Sequence, residues 1–129
     1  DLIFDGASIA IDKSGELIAR AIGFEEDWFV IEYNAEKQDF EKSTIVPAPD
    51  CEEAELWSAL VLGVRDYARK CRFSRIVLGL SGGIDSSLIA AIASEAVGKE
   101  NVLGILMPSP YSSDHSIQDA LDLAKHLGI

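Results

Sequence analysis

One short stretch, Gly79-Leu80-Ser81-Gly82-Gly83-Ile84-Asp85-Ser86-Ser87, holds the residue types and spacing that could do chemistry. Three loop motifs compete for it. A Walker A loop, G-x-x-x-x-G-K-[ST], fails because the stretch has no Lys, and the dinucleotide fingerprint G-x-G-x-x-G fails as well. Gly79-x-Ser81-x-Gly83 does match the nucleophile elbow G-x-S-x-G, which would make Ser81 the acyl-transfer nucleophile of a Ser hydrolase. That chemistry needs an Asp or Glu and then a His downstream. The chain offers only His115 and His126, which fall at the two ends of the last expected helix.

The other physical reading is an anion cradle. Gly82 and Gly83 would let the backbone turn tightly and aim N–H groups at one point. The hydroxyls of Ser81, Ser86 and Ser87 add donors, and a helix starting here adds its partial positive charge. Such a site suits a phosphate or pyrophosphate. Asp85 in its middle would repel that ligand unless Mg²⁺ bridges carboxylate and phosphate oxygens, so a carboxylate inside an anion cradle implies a metal.

The elements around the loop must present it. Ile76-Val77-Leu78-Gly79-Leu80 is an unbroken apolar run, as in a strand buried on both faces. The loop leads into a helix over about 86–97, with Leu88, Ile92 and Ala96 inward and Gly98 as its stop. Residues 102–107 form a second strand and 108–113 a loop. A further helix carries Ile117, Leu121, Ala124 and Leu127 on one face and ends at Gly128. Preceded by a helix over 51–71, the order α-β-α-β-α implies parallel strands, whose ligands bind beyond the carboxyl ends, here at 81–87 and 108–114. In the 51–71 helix Asp50 and Glu53 have capping-box spacing, and Leu56, Leu60, Val64, Tyr67 and Cys71 form the expected buried stripe. Residues 2–33 read as antiparallel β structure: strands over 7–12, 16–21 and 28–33, with Lys13-Ser14-Gly15 as a turn. Residues 34–50, charged at first and then carrying Pro47 and Pro49, read as a linker.

The 129 residues carry 11 Lys+Arg against 22 Asp+Glu, and the whole net charge of −11 lies in residues 1–55. Net acidity argues against a nucleic-acid partner, while the balanced remainder can receive an anion without opposing its own field. Five bases, Arg65, Arg69, Lys70, Arg72 and Arg75, are bunched and read as a solvated face. No apolar run approaches the ~20 residues of a membrane span. Cys51 and Cys71 bracket one helix and would stand ~30 Å apart, too far for a disulfide, so they read as buried or idle thiols in a reducing compartment.

Ser81-Gly82-Gly83-Ile84-Asp85-Ser86 resembles the S-G-G-x-D-S pyrophosphate loop of the N-type ATP pyrophosphatases, enzymes that adenylate a substrate and release pyrophosphate. Met107-Pro108-Ser109-Pro110-Tyr111-Ser112-Ser113-Asp114-His115-Ser116, followed by Asp119-Ala120, resembles the segment after the second strand of glutamine-dependent NAD synthetases. The start of the chain, Asp1-Leu2-Ile3-Phe4-Asp5-Gly6-Ala7-Ser8, with Phe24-Glu25-Glu26-Asp27, is similar to the end of the nitrilase-like glutaminase domain of those enzymes.

The resemblance implies an α/β fold, an incomplete Rossmann-like parallel sheet of the adenine nucleotide alpha hydrolase type preceded by antiparallel strands from a nitrilase-like sandwich. It divides the chain into 1–33, the end of the glutaminase domain; 34–50, a linker; and 51–129, the start of the synthetase domain. It implies a cytoplasmic, homo-oligomeric ligase that amidates deamido-NAD⁺ to NAD⁺ with ATP, Mg²⁺ and nitrogen from glutamine or ammonia. Ser81 and Asp85 would be catalytic, with Asp85 on the metal. Gly79, Leu80, Ser81, Gly82, Gly83, Ile84, Asp85, Ser86, Ser87 and Met107 would bind ATP, the adenine lying near Leu106 and Met107. The glutaminase Glu-Lys-Cys triad is expected upstream and Cys51 does not match its nucleophile; most deamido-NAD⁺ contacts are expected beyond Ile129. The chain is accordingly expected to be a segment of a longer enzyme and to make no NAD⁺ by itself. A GMP synthetase is the alternative within the superfamily.

Ligase and hydrolase readings separate at Ser81. The ligase reading predicts that Ser81→Ala weakens ATP binding and that no fluorophosphonate probe labels Ser81. Covalent labelling of that hydroxyl would establish the nucleophile elbow instead.

Overall fold

The computed structural model describes residues 2–108 and 113–129. The chain divides into two units, residues 1–59 and 60–129, with helix α1 (Glu52–Lys70) running through the division. The expected mixture of an antiparallel part followed by parallel α/β structure is present.

In the first unit β1 (Ile9–Ile11) and β2 (Leu17–Arg20) pair antiparallel, with a register shift between Ala10 and Ile11. Asp12 builds the turn between them. Its carboxylate accepts the Ser14 hydroxyl at 2.7 Å and the N–H groups of Ser14 and Glu16 at 2.8 Å. Ile18 and Ala19 of β2 are fully buried and centre the small core.

The expected third strand over 28–33 is corrected: it begins only at Tyr33. β3 (Tyr33–Asn34) pairs with β4 (Asp39–Phe40), and Trp28 and Val30 are exposed. Apolar β-formers make a strand only where a ladder partner is available, and here the pairing lies further along. Asn34 Oδ1 accepts the N–H groups of Glu36 and Lys37, both at 3.0 Å, and so turns the chain back. The stretch read as linker therefore contains half of a hairpin. Its residues 43–46 also lie along β2, bonded through Ser43 N–H to Ile18 O at 2.9 Å and Arg20 N–H to Thr44 O at 3.1 Å.

Helix α1 matches its expected bounds to within a residue, but its cap is displaced. Glu55 N–H donates to Cys51 O, which makes Cys51 the cap residue in place of Asp50. The expected buried stripe is displaced in the same direction: Val61 and Ala68 are buried, whereas Leu56, Leu60 and Tyr67 are exposed. The turned-in residues flank Arg65, whose Nε donates to Ala96 O at 3.3 Å at the end of the next helix. Both thiols are free and exposed; Cys71 thus departs from the expected buried stripe, while Cys51 and Cys71 are both unpaired as thiols.

The second unit centres on β5 (Ile76–Leu80) and β6 (Val102–Leu106), parallel and in register from Ile76 opposite Val102 to Leu80 opposite Leu106. Helix α2 (Ile84–Val97) connects them, and α3 (Asp114–Leu127) follows. Leu80, Ala90 and Ala120 form the core, packed by Leu78, Leu106, Leu123, Ala124 and Leu127. The strands are covered on one face only, since Val77 and Leu103 are exposed, so the expected two-sided burial of β5 is not observed. Ile92 and Ala96 turn inward as expected; Leu88 and Leu121 do not. At the positions where helix meets strand or helix, the small side chains of Ala90, Ala93 and Ala120 take their place and allow close approach. Gly98 and Gly128 end α2 and α3, each with positive φ and its N–H returned to the helix.

Asp12 generates a pH prediction. The Ser14 hydroxyl first, then the Glu16 N–H, hold its carboxyl below the ordinary value of 3.8. A depressed folded value stabilises above the unfolded value, and the contribution is lost as pH falls through the folded one. Asp12→Ala is expected to reduce amide-exchange protection across β1–β2 near neutral pH, with the difference vanishing in acid well below 3.8. Equal protection of both proteins at neutral pH would show that the turn does not depend on this carboxylate.

Candidate functional site

The strand-to-helix loop lies at the carboxyl end of β5, beside the carboxyl end of β6. Gly79 and Leu80 close the strand, Ser81–Gly83 make the turn, and Ile84, Asp85, Ser86 and Ser87 form the first turn of α2. Met107 stands just past β6, and a methyl added at Gly79 would sit 3.0 Å from Met107 Cε, so the missing side chain makes room for the methionine. Leu80, Ser81, Leu106, Met107, Pro108, Ser116 and Ile117 line a cleft of about 110 Å³ here. Ligand pockets typically hold ~300–1,000 Å³, so this notch takes a group of a ligand rather than a whole nucleotide. The cleft lies beyond the carboxyl ends of both strands. Of the expected second loop, residues 109–112 lie outside the described residues.

The two glycines of the turn differ. Gly82 has φ +79 and its backbone abuts α3: an added Cβ would collide with the Ser116 carbonyl oxygen and lie 2.8 Å from its carbon. Gly83 has φ −86 and ψ 160, extended backbone open to any residue, and serves as the cap position of α2. The tight turn is therefore the work of Gly82 alone.

The serines are bound up with one another. Ser86 Oγ donates to Gly83 O at 3.0 Å and Ser87 Oγ donates to the same carbonyl at 2.9 Å. Ser81 Oγ lies 3.0 Å from Ser86 Oγ and accepts Gly83 N–H at 3.3 Å, while Ser81 N–H donates to Ser86 Oγ at 3.3 Å. These hydroxyls hold the loop's shape. The first-turn N–H groups of Ile84, Asp85 and Ser86 have no acceptor within the helix and carry its positive end, a position where an anion would be stabilised.

Among the described residues Ser81 Oγ meets Ser86 Oγ and Gly83 N–H, and His126 Nδ1 is engaged with Asp122 O at 2.7 Å on its own helix. Without a base the nucleophile elbow is not favoured. Asp85 is an exposed carboxylate in the first turn. Among the described residues no group of three or more His, Cys, Asp or Glu could hold a metal ion by itself. A single carboxylate fits Mg²⁺, which commonly takes one or two carboxylates with substrate phosphates as its other ligands.

Ser116 is the residue that motif reading passed over, because its backbone and not its side chain meets the loop. Its trace in the sequence is Ser113-x-x-Ser116 before a helical run, a start signal for α3.

Among known proteins, the NAD synthase family model matches residues 56–129. A glutamine-dependent NAD(+) synthetase of Synechocystis sp. is 60% identical over 129 residues, all of this chain and 23% of that protein. One from Thermotoga maritima is 41% identical, again over the whole chain and 28% of the relative. The chain thus spans about a quarter of the length of these relatives. The structure of the glutamine-dependent NAD⁺ synthetase from Acinetobacter baumannii, in complex with ADP, superposes with TM-score 0.92 at 39% identity, covering 100% of this chain and 24% of that one. The NH3-dependent NAD synthetase of Campylobacter jejuni gives TM-score 0.57 at 33% identity over 61% of this chain and 34% of its own.

The contrast between the two glycines is testable. Gly82→Ala forces a left-handed conformation costing about 1–2 kcal/mol and a backbone clash costing about 1–3 kcal/mol more. It is expected to destabilise residues 60–129 measurably in denaturant titration. Gly83→Ala places its methyl 3.4 Å from Ser81 Oγ, an ordinary contact, and is expected to be tolerated. Equal effects of the two substitutions would contradict this account.

Proposed function

Because the chain belongs to the NAD synthase family, we propose that it supplies the ATP pyrophosphate loop of a synthetase that amidates deamido-NAD⁺ to NAD⁺, with nitrogen from glutamine or ammonia. The observation that carries this reading is the Ser81–Ser87 turn. It is a serine-braced loop at the carboxyl end of a parallel strand, with the unpaired amides of α2 at its mouth. The superposition on a synthetase whose structure holds ADP supports it. On this reading residues 1–33 belong to the end of a nitrilase-like glutaminase domain and 51–129 to the start of the synthetase domain; the family match from residue 56 onward supports the second assignment.

In the reaction the nicotinate carboxylate attacks the α-phosphorus of ATP, pyrophosphate leaves, and ammonia displaces AMP from the acyl-adenylate. The protein supplies no nucleophile. The amides of Ile84, Asp85 and Ser86 hold the β- and γ-phosphates before and after the bond breaks, and their orientation is set in advance by the serine network. The cleft beside Leu106 and Met107 takes part of the adenosine, its apolar wall matching a purine face. Asp85 would hold Mg²⁺ against the phosphates, and the cation when bound offsets the charge building on the departing pyrophosphate. Free, exposed thiols at Cys51 and Cys71 accord with a reducing cytoplasm. No helix among the described residues is long and apolar enough to cross a membrane.

In a full-length synthetase containing this sequence, Asp85→Asn is expected to lower Mg·ATP-dependent pyrophosphate release roughly 100-fold and to raise the Mg²⁺ concentration needed for half-maximal rate. Pyrophosphate release at the parent rate would remove Asp85 from the mechanism.

A further inference from the structure

We propose that Ser113 is a positioning residue for ATP: by capping α3 it fixes Ser116, and through the Ser116 carbonyl it seats the pyrophosphate loop. The inference rests on the functional reading above. Three observations meet at one residue. Ser113 stands at the cap of α3 with extended backbone, φ −74 and ψ 147, and its Oγ accepts Ser116 N–H at 3.2 Å. The two hydroxyls of Ser113 and Ser116 lie 2.8 Å apart, a second tie between the same residues. On its other side Ser116 meets Gly82 so closely that no side chain fits between them, its Cα and carbonyl carbon both within 3 Å of where a Gly82 Cβ would stand.

Ser116 is therefore pinned by its amide and used by its carbonyl. Gly82 is the one loop residue with positive φ, so a shift of Ser116 is passed to the point where the loop turns. From there it reaches Gly83, whose carbonyl gathers the Ser86 and Ser87 hydroxyls and precedes the anion-binding amides. Releasing the cap frees the first turn of α3 and with it the surface on which the loop rests. Binding weakens equally for bound ATP and for the departing pyrophosphate, so the loss falls on KM rather than on kcat.

The experiment uses a full-length synthetase containing this sequence. Ser113→Ala is expected to raise the KM for ATP and its Kd by calorimetry about fivefold, the factor that loss of one helix cap corresponds to. The kcat and the KM values for deamido-NAD⁺ and ammonia stay within about twofold, and Ser113→Thr, which keeps an acceptor at the cap, restores the ATP value. If Ser113→Ala does not fold, Ser113→Gly, which helix starts tolerate better, must show a smaller rise that is likewise confined to ATP. An unmoved ATP Kd, a rise shared by all substrates, or no recovery with Thr overturns the proposal while leaving the functional reading intact. An unsubstituted enzyme that makes no NAD⁺ from ATP, Mg²⁺, deamido-NAD⁺ and ammonia overturns the functional reading, and this inference with it.

Discussion

The contact between Gly82 and the Ser116 carbonyl is the constraint on which the site depends. It brings the turn after β5 against the first turn of α3, two segments more than 30 residues apart in sequence. Much else in the second unit makes that contact possible. The parallel register sets Leu80 opposite Leu106, so both strands end at the same height. Gly104 leaves space for Leu80, whose Cδ1 would lie 2.5 Å from any Cβ there. Ala90 and Ala120 let α2 and α3 close over the strand ends without a large side chain holding them apart. A glycine at the point of contact then completes the approach.

With the loop seated, its polar groups divide the work. Serine hydroxyls satisfy one another and the Gly83 carbonyl, which keeps the turn in one shape without any ligand. The first-turn amides of α2 have no acceptor within the helix, so a phosphate bound there would displace no internal helix bond. Asp85 shares that turn, and the electrostatic conflict between carboxylate and phosphate is the reason a divalent cation enters the proposed chemistry. The surplus of negative charge is kept in residues 1–55, so residues 56–129 could receive an anion without opposing its charge.

Local chemistry was legible in the residues themselves. Helix and strand limits in the second unit, the glycine stops at Gly98 and Gly128, the parallel order and the loop between β5 and α2 follow from apolar period, turn residues and chain direction. Each of those signals is short in sequence and needs no distant partner. The S-G-G-x-D-S string likewise raises the reading of a phosphate cradle, because its amides, hydroxyls and carboxylate are neighbours along the chain.

What only the tertiary structure decided is which face, which partner and which glycine. Val61 and Ala68, not Leu56 and Leu60, turn inward on α1, because closeness to a neighbouring helix end favours small residues and periodicity alone cannot tell one flank of an apolar stripe from the other. The third antiparallel strand moved to Tyr33 because a ladder needs a partner, and the partner was hidden in a stretch whose prolines and charges read as linker. Gly82 and Gly83 are equal as letters; only the approach of Ser116 from α3 makes one indispensable and the other ordinary, since a close contact across the fold leaves no mark in the spacing of residues along the chain.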